Sequence, residues 1–145
     1  MGSILHDLGF KYEDNAIFES FTKAQIEKEL NYDQRHDLLE HTIKFEMHLQ
    51  KIDSIHPDVL RMIRDHHGVN EVDDAYPREV NPNDISLVFA LFILSHEFSL
   101  RLDAISFEKK LIEKELESLC IRFTKWKYQK IIPMFMNVMK DIFEI

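Results

Sequence analysis

Six metal-capable side chains stand out in this chain by type and spacing: His6 and Asp7 near the start, His41, the adjacent pair His66 and His67, and His96. Imidazole nitrogen suits Fe, Mn, Zn or Ni, and a carboxylate such as Asp7 can bridge two ions. Brought onto facing helices, these residues make most of a dinuclear hydrolase centre. Their spacing says more than their number. Adjacent residues in mid-helix point about 100° apart, so His66 and His67 can serve one centre only at a helix end, and Gly68 supplies that end. His96 lies on a stripe otherwise made of Ile, Val and Phe, where an imidazole needs a hydrogen-bonding partner or a metal. A single histidine on an apolar stripe is more often a hydrogen-bonded core residue than a ligand. That ordinary reading, or plain solvation, is assigned to His36, His48 and His56.

The elements that must position these residues are all helical. Only three glycines and four prolines occur, so few turns are signalled. Ile4 to Leu8 reads as the last turn of a helix stopped by Gly9. Ala16 to Leu30 carries Ile17, Phe18, Phe21, Ala24 and Ile26 near helical spacing. Asp33 is the expected cap of the next helix, which runs to about Ile52 with Leu38, His41, Phe45, His48 and Ile52 on one face. His56-Pro57-Asp58 opens another, with proline at the first helical position, and Val59, Leu60, Ile63, His66 and His67 follow. Residues 69–83 are polar and read as a surface loop. Asn83 or Asp84 is the expected cap of the most apolar helix, whose stripe is Ile85, Val88, Phe89, Phe92, Ile93 and His96. Ser106 is expected to cap a charged helix with Leu111, Ile112, Leu116, Leu119 and Cys120 inward. Pro133 is expected to start the last helix, with Phe135, Val138, Met139 and Ile142 packing back. No strand and no repeat is signalled. The expected fold is all-α, a bundle of about six helices.

Composition bounds the rest. The 145 residues suit one domain, spanning 1–145, with residues 1–3 resembling an expression remnant. Apolar residues at 45% and charged residues at 30% are ordinary for a folded globule. A formal charge of -8 disfavours binding to a nucleic-acid polymer. It leaves room for a small phosphorylated substrate, because bound cations invert the local potential. One cysteine, Cys120, allows no disulfide framework, and a reducing, cytoplasmic compartment is expected. The longest apolar run, Leu87 to Leu94, is far short of the ~20 residues of a membrane span.

The order of the candidate ligands resembles the HD-GYP branch of the HD metal-dependent phosphohydrolase superfamily. Leu5-His6-Asp7-Leu8-Gly9 is similar to the His-Asp-x-Gly core of that superfamily. His41 stands where the family has a histidine on the next long helix, and His66-His67 where it has a His-His pair closing a helix. Asp74-Ala75-Tyr76-Pro77 stands at the Gly-Tyr-Pro loop, and Ser95-His96-Glu97-Phe98 at an Ala-Asp-x-Phe pattern. The gaps are 35 residues from His6 to His41, 25 from His41 to His66 and 29 from His67 to His96. They suit the family if a small insertion precedes His41. The resemblance covers most of the chain, through short motifs.

The resemblance implies an HD-domain-like bundle and hydrolysis of cyclic di-GMP, a bacterial second messenger, with two or three Fe or Mn ions, for which Ni or Zn can be mimics. It implies that Asp7 bridges two metals at the catalytic centre and that His6 binds the first. His41, His66 and His67 serve the others, and Tyr76 and Pro77 shape the loop near the substrate. The chain also departs from the pattern. Phe10 replaces a lysine that contacts substrate phosphate, and Lys11, one step along, points well away. His96 replaces a ligand aspartate, and Ala75 replaces the loop glycine. The family's first ligands lie about a helix upstream of the His-Asp step, leaving one metal site open unless His36 or Glu97 substitutes.

Two functions are therefore expected in parallel: an active phosphodiesterase of the cyclic-dinucleotide type, or an inactive relative kept for signalling or protein interaction that still binds metal or nucleotide. A third assignment, pairing His6 with His36-Asp37 as a generic HD hydrolase, ranks below both, because Arg35-His36-Asp37-Leu38 lacks the glycine turn. Apolar stripes without an upstream neighbour suggest a protein partner or a homodimer.

Overall fold

The computed structural model describes residues 23–67, 85–105, 107–124 and 126–145. Among them are six α-helices and no strand: α1 Lys23–Glu29, α2 Tyr32–Leu49, α3 Pro57–Asp65, α4 Leu87–Ala104, α5 Lys109–Arg122 and α6 Trp126–Phe143. The fold is all-α, as the periodicity and the scarcity of glycine and proline require. Among the described residues, no helix is long and apolar enough to cross a membrane. The chain divides into two compact units, Met1–Glu79 and Val80–Ile145.

In the first unit, α2 packs against α3. A capping box starts α2: the Gln34 N–H donates to Asn31 Oδ1 at 2.9 Å, and the Asn31 N–H donates to Gln34 Oε1 at 3.0 Å. Two donors that the first turn leaves orphaned are thereby satisfied. The cap is thus Asn31 rather than Asp33, which lies in the first turn. Arg35 Nε donates to Leu30 O at 2.9 Å and ties α2 to the end of α1. Leu38 and Phe45 point inward with Ile26, Leu30 and Ile63. His48 and Ile52, expected on the same stripe, are exposed, and Ile52 lies beyond the helix, which ends at Leu49. Pro57 sits at the first turn of α3, where its missing N–H costs nothing. His56 caps it by accepting from the Asp58 N–H at 3.2 Å.

The second unit packs α4 against both α5 and α6, and α5 against α6. Its buried side chains include Phe89, Ile93, Leu94, Phe98, Leu116, Leu119, Phe123, Tyr128 and Phe135. Phe98 meets Phe135 edge to face at 5.8 Å, and Phe123 lies 4.8 Å from Tyr128, spacings at which aromatic pairs attract. Ser86 caps α4 by accepting from the Phe89 N–H at 3.1 Å, so the cap lies beyond Asn83 and Asp84. For α5 the cap residue is Glu108, without a side-chain cap bond. Cys120 is exposed rather than inward.

The largest departure from expectation is α6. It starts at Trp126, so Pro133 lies inside it instead of opening it. An interior proline costs about 3 kcal/mol. Burial of Tyr128, Ile131, Ile132 and Phe135 on both sides of Pro133 offsets that cost. Val138 and Ile142, expected to pack back, are exposed. At the end of α6, Glu144 takes φ 54° and the Ile145 N–H donates to Lys140 O at 3.1 Å, the bond of a Schellman stop. Lys109, from the start of α5, donates to Glu144 O at 3.2 Å.

Candidate metal centre

The structure brings His41, His66 and His67 together. One ligand nitrogen from each lies within 4.8 Å of the others, and all three residues are buried. The rings are 5.9 Å apart for His41–His66, 5.2 Å for His41–His67 and 3.9 Å for His66–His67. His41 stands edge-on to both partners, at 71° and 75°. Rings disposed this way can aim nitrogens at a common point.

Each ring owes its place to local structure. His41 is in the middle of α2, between the inward-facing Leu38 and Phe45. His66 is the C-cap of α3, and His67 follows in the turn. Ending the helix at Asp65 is what lets two adjacent rings lie side by side. The Nδ1 of His41 donates to Leu38 O at 2.6 Å, and the Nδ1 of His66 donates to Ile63 O at 2.7 Å. A carbonyl oxygen can only accept, so each Nδ1 carries the proton. The lone pair is then on Nε2, the tautomer that ligates a metal through Nε2 while its other nitrogen is held by a carbonyl. The Nε2 atoms of all three residues are shielded from solvent.

This donor set fits a first-row divalent ion. Metal–imidazole bonds of ~2.0–2.1 Å put neighbouring ligand nitrogens about 3–3.5 Å apart. From a widest separation within 4.8 Å, the three nitrogens therefore need to close by roughly 1.3–1.8 Å at most. Three imidazoles without a thiolate suit Zn, Fe, Ni or Cu by ligand softness.

Charged groups surround the helices that carry the rings. Arg64 forks onto Asp65, with Nε to Oδ1 at 2.7 Å and Nη2 to Oδ2 at 3.1 Å, and its Nη1 reaches Glu46 Oε1 at 3.1 Å. Hydrogen bonding to Asp65 leads the effects that raise the Arg64 pKa above the ordinary guanidinium value, against opposing desolvation. Gln50 Nε2 donates to the same Glu46 oxygen at 3.1 Å. Glu46 and Asp65 are both buried. Residue spacing alone does not point to this network. Its signal was charge at positions beside apolar ones: Glu46 after Phe45, and Asp65 before the histidine pair.

The other candidates have different standings. His6, Asp7, Tyr76 and Pro77 lie outside the described residues, as do Gly9, Phe10, Gly68 and Ala75. His96 is buried in the second unit on α4, with its ring 6.3 Å from that of Phe92. Of the two substitutes considered for an open metal site, Glu97 lies on α4 with Oε2 3.6 Å from Arg122 Nη1. His36 is half exposed, stacked on Tyr32 at 6.0 Å and 3.3 Å from Glu40. Its neighbour Asp37 is buried, with Lys44 Nζ 3.3 Å away, so the two side chains of the His36-Asp37 step go to different surroundings. Among the described residues, the group able to hold an ion is His41, His66 and His67.

The structure thus defines an all-α protein with a buried three-histidine cluster. No family model, curated protein or solved structure matches the chain.

Proposed function

We propose that this chain binds a divalent first-row metal through His41, His66 and His67 and belongs to a metal-dependent phosphohydrolase of the HD-GYP kind, acting on a cyclic dinucleotide or another small phosphorylated molecule. The observation that carries the proposal is the convergence of the three buried rings from two elements. Two of them are preset in one tautomer by backbone carbonyls. These histidines also stand in the order of that family's motifs, with His6 and Asp7 before them and His96 after. A bound ion of this class polarises a phosphoryl oxygen and lowers the pKa of a coordinated water. The chain's own part is to hold the ion with uncharged donors, leaving its positive charge for an anionic substrate. Fe or Mn is the proposed native metal, with Ni or Zn as mimics.

Phe10 supports a second reading, an inactive module that keeps the metal and serves signalling or protein interaction. A phenylalanine there cannot neutralise a substrate phosphate as the family's lysine does. Cyclic di-GMP turnover with Mn(II) or Fe(II) separates the two. The hydrolase reading predicts linear product that disappears when His66 and His67 are replaced by alanine. Metal-loaded protein that gives no product from cyclic di-GMP or from a panel of small phosphate esters would instead establish the inactive module.

A further inference from the structure

We propose that Glu46, Arg64 and Asp65 form a clamp that sets the relative position of the histidines, an inference that rests on the metal-binding reading above. The site draws on two elements: α2 supplies His41, and the end of α3 supplies His66 and His67. Sliding one element along the other changes the separation of the ligand nitrogens directly. Apolar burial of Leu38, Phe45 and Ile63 holds the unit together but is non-directional. Arg64 supplies direction. Its planar fork is bidentate on Asp65, the residue immediately before His66, at 2.7 and 3.1 Å. The remaining arm crosses to Glu46 on α2, five residues after His41, at 3.1 Å. Gln50 holds the Glu46 carboxylate from the next turn at 3.1 Å.

A fork of fixed geometry on two buried carboxylates defines a distance that a lysine, with a single rotatable ammonium, does not. Arg61 is the natural control: its Nε is 3.6 Å from Asp65 Oδ2, outside hydrogen-bond range. Glu46, Arg64 and Asp65 are therefore positioning residues that act through the histidines rather than on the ion.

The test is a Co(II) titration of the full chain followed by visible absorbance, which reports both affinity and coordination geometry. Arg64→Lys is expected to weaken Co(II) binding by ~10–100-fold, the usual cost of losing an outer-sphere partner, and to change the absorption envelope at saturating metal. Glu46→Gln shifts both in the same direction. The double variant Glu46→Gln/Arg64→Lys binds no more weakly than the weaker single, and Arg61→Lys binds as the wild type does. If Arg64→Lys does not fold, Glu46→Gln, which keeps the side chain's shape, decides. Wild-type affinity and spectrum in both single variants overturn the clamp while leaving the histidine site standing. Weakened affinity with an unchanged saturated spectrum overturns it too, by showing a loss of stability without a change of geometry. A wild-type chain that binds no Co(II) overturns the metal reading, and the clamp with it.

Discussion

At the scale of single residues, burial sets a demand for partners on polar groups, and the two units answer it differently. In the first, His41 and His66 use one device twice: Nδ1 donates to the carbonyl three residues back, which fixes the tautomer. In the second, Arg122 is held only loosely. Its three nitrogens are shielded from solvent and make no hydrogen bond among the described residues. The carboxylates of Glu97 and Glu115 stand 3.6 and 4.0 Å away. Burial chiefly, then Arg101, lowers the Arg122 pKa, against the pull of Glu97 and Glu115. A base with a depressed folded pKa costs stability at every pH below that value, with relief only in strong alkali. The cost is therefore constant over the usable range and shows in mutants rather than in a pH profile. Arg122→Met is expected to lose on the order of 3 kcal/mol, since it removes the cation that faces both Glu97 and Glu115, and Glu97→Gln less, since Arg122 keeps Glu115. Glu97→Leu/Arg122→Met should lose less than the sum of the two single variants in urea unfolding, because the facing charges leave together while Glu115 keeps Arg101 at 3.7 Å. Losses that simply add in the double variant would show that the pair does not act as a pair.

At the scale of elements, the caps and stops explain where side chains end up. The Asn31–Gln34 box starts α2 two residues ahead of the expected cap, and the stop at Asp65 turns two adjacent histidines into neighbours. Pro133 is the exception to local preference, an interior proline retained because the apolar residues around it are buried. Pro133→Ala is expected to raise stability by roughly 1–3 kcal/mol, restoring an intrahelical donor while giving back some unfolded-state entropy. A thermal melt at or below the wild-type temperature would show instead that Pro133 carries no such penalty in α6. What was legible in the sequence follows the same division. Helix number and type were readable from apolar spacing at Leu38, Phe45, Phe89, Ile93 and Leu116. Boundaries were less so: a proline rule placed the start of α6 seven residues late, because tertiary burial outweighed it.

At the scale of the whole molecule, three histidines come together in a cluster that could hold a metal ion, on a support that residue spacing does not reveal. The sequence marks His41, His66 and His67 by residue type and order, and one ligand nitrogen from each lies within 4.8 Å of the others. Asp37, Glu46 and Asp65 resemble solvated helix charges in the sequence, because nothing local says that a carboxylate is buried. Only the packing of α2 on α3 reveals it. Elsewhere in the chain, a formal charge of -8 gives no independent pointer to phosphate, so the functional account turns on a bound cation. Elemental analysis of the full chain, purified without chelator, tests that most directly. The account predicts about one or more ions of Fe, Mn, Ni or Zn per chain, and loss of that metal in the variant His66→Ala/His67→Ala. A wild-type chain free of metal, with a melting temperature unmoved by added Mn(II), would contradict it, as would a double variant that keeps its metal.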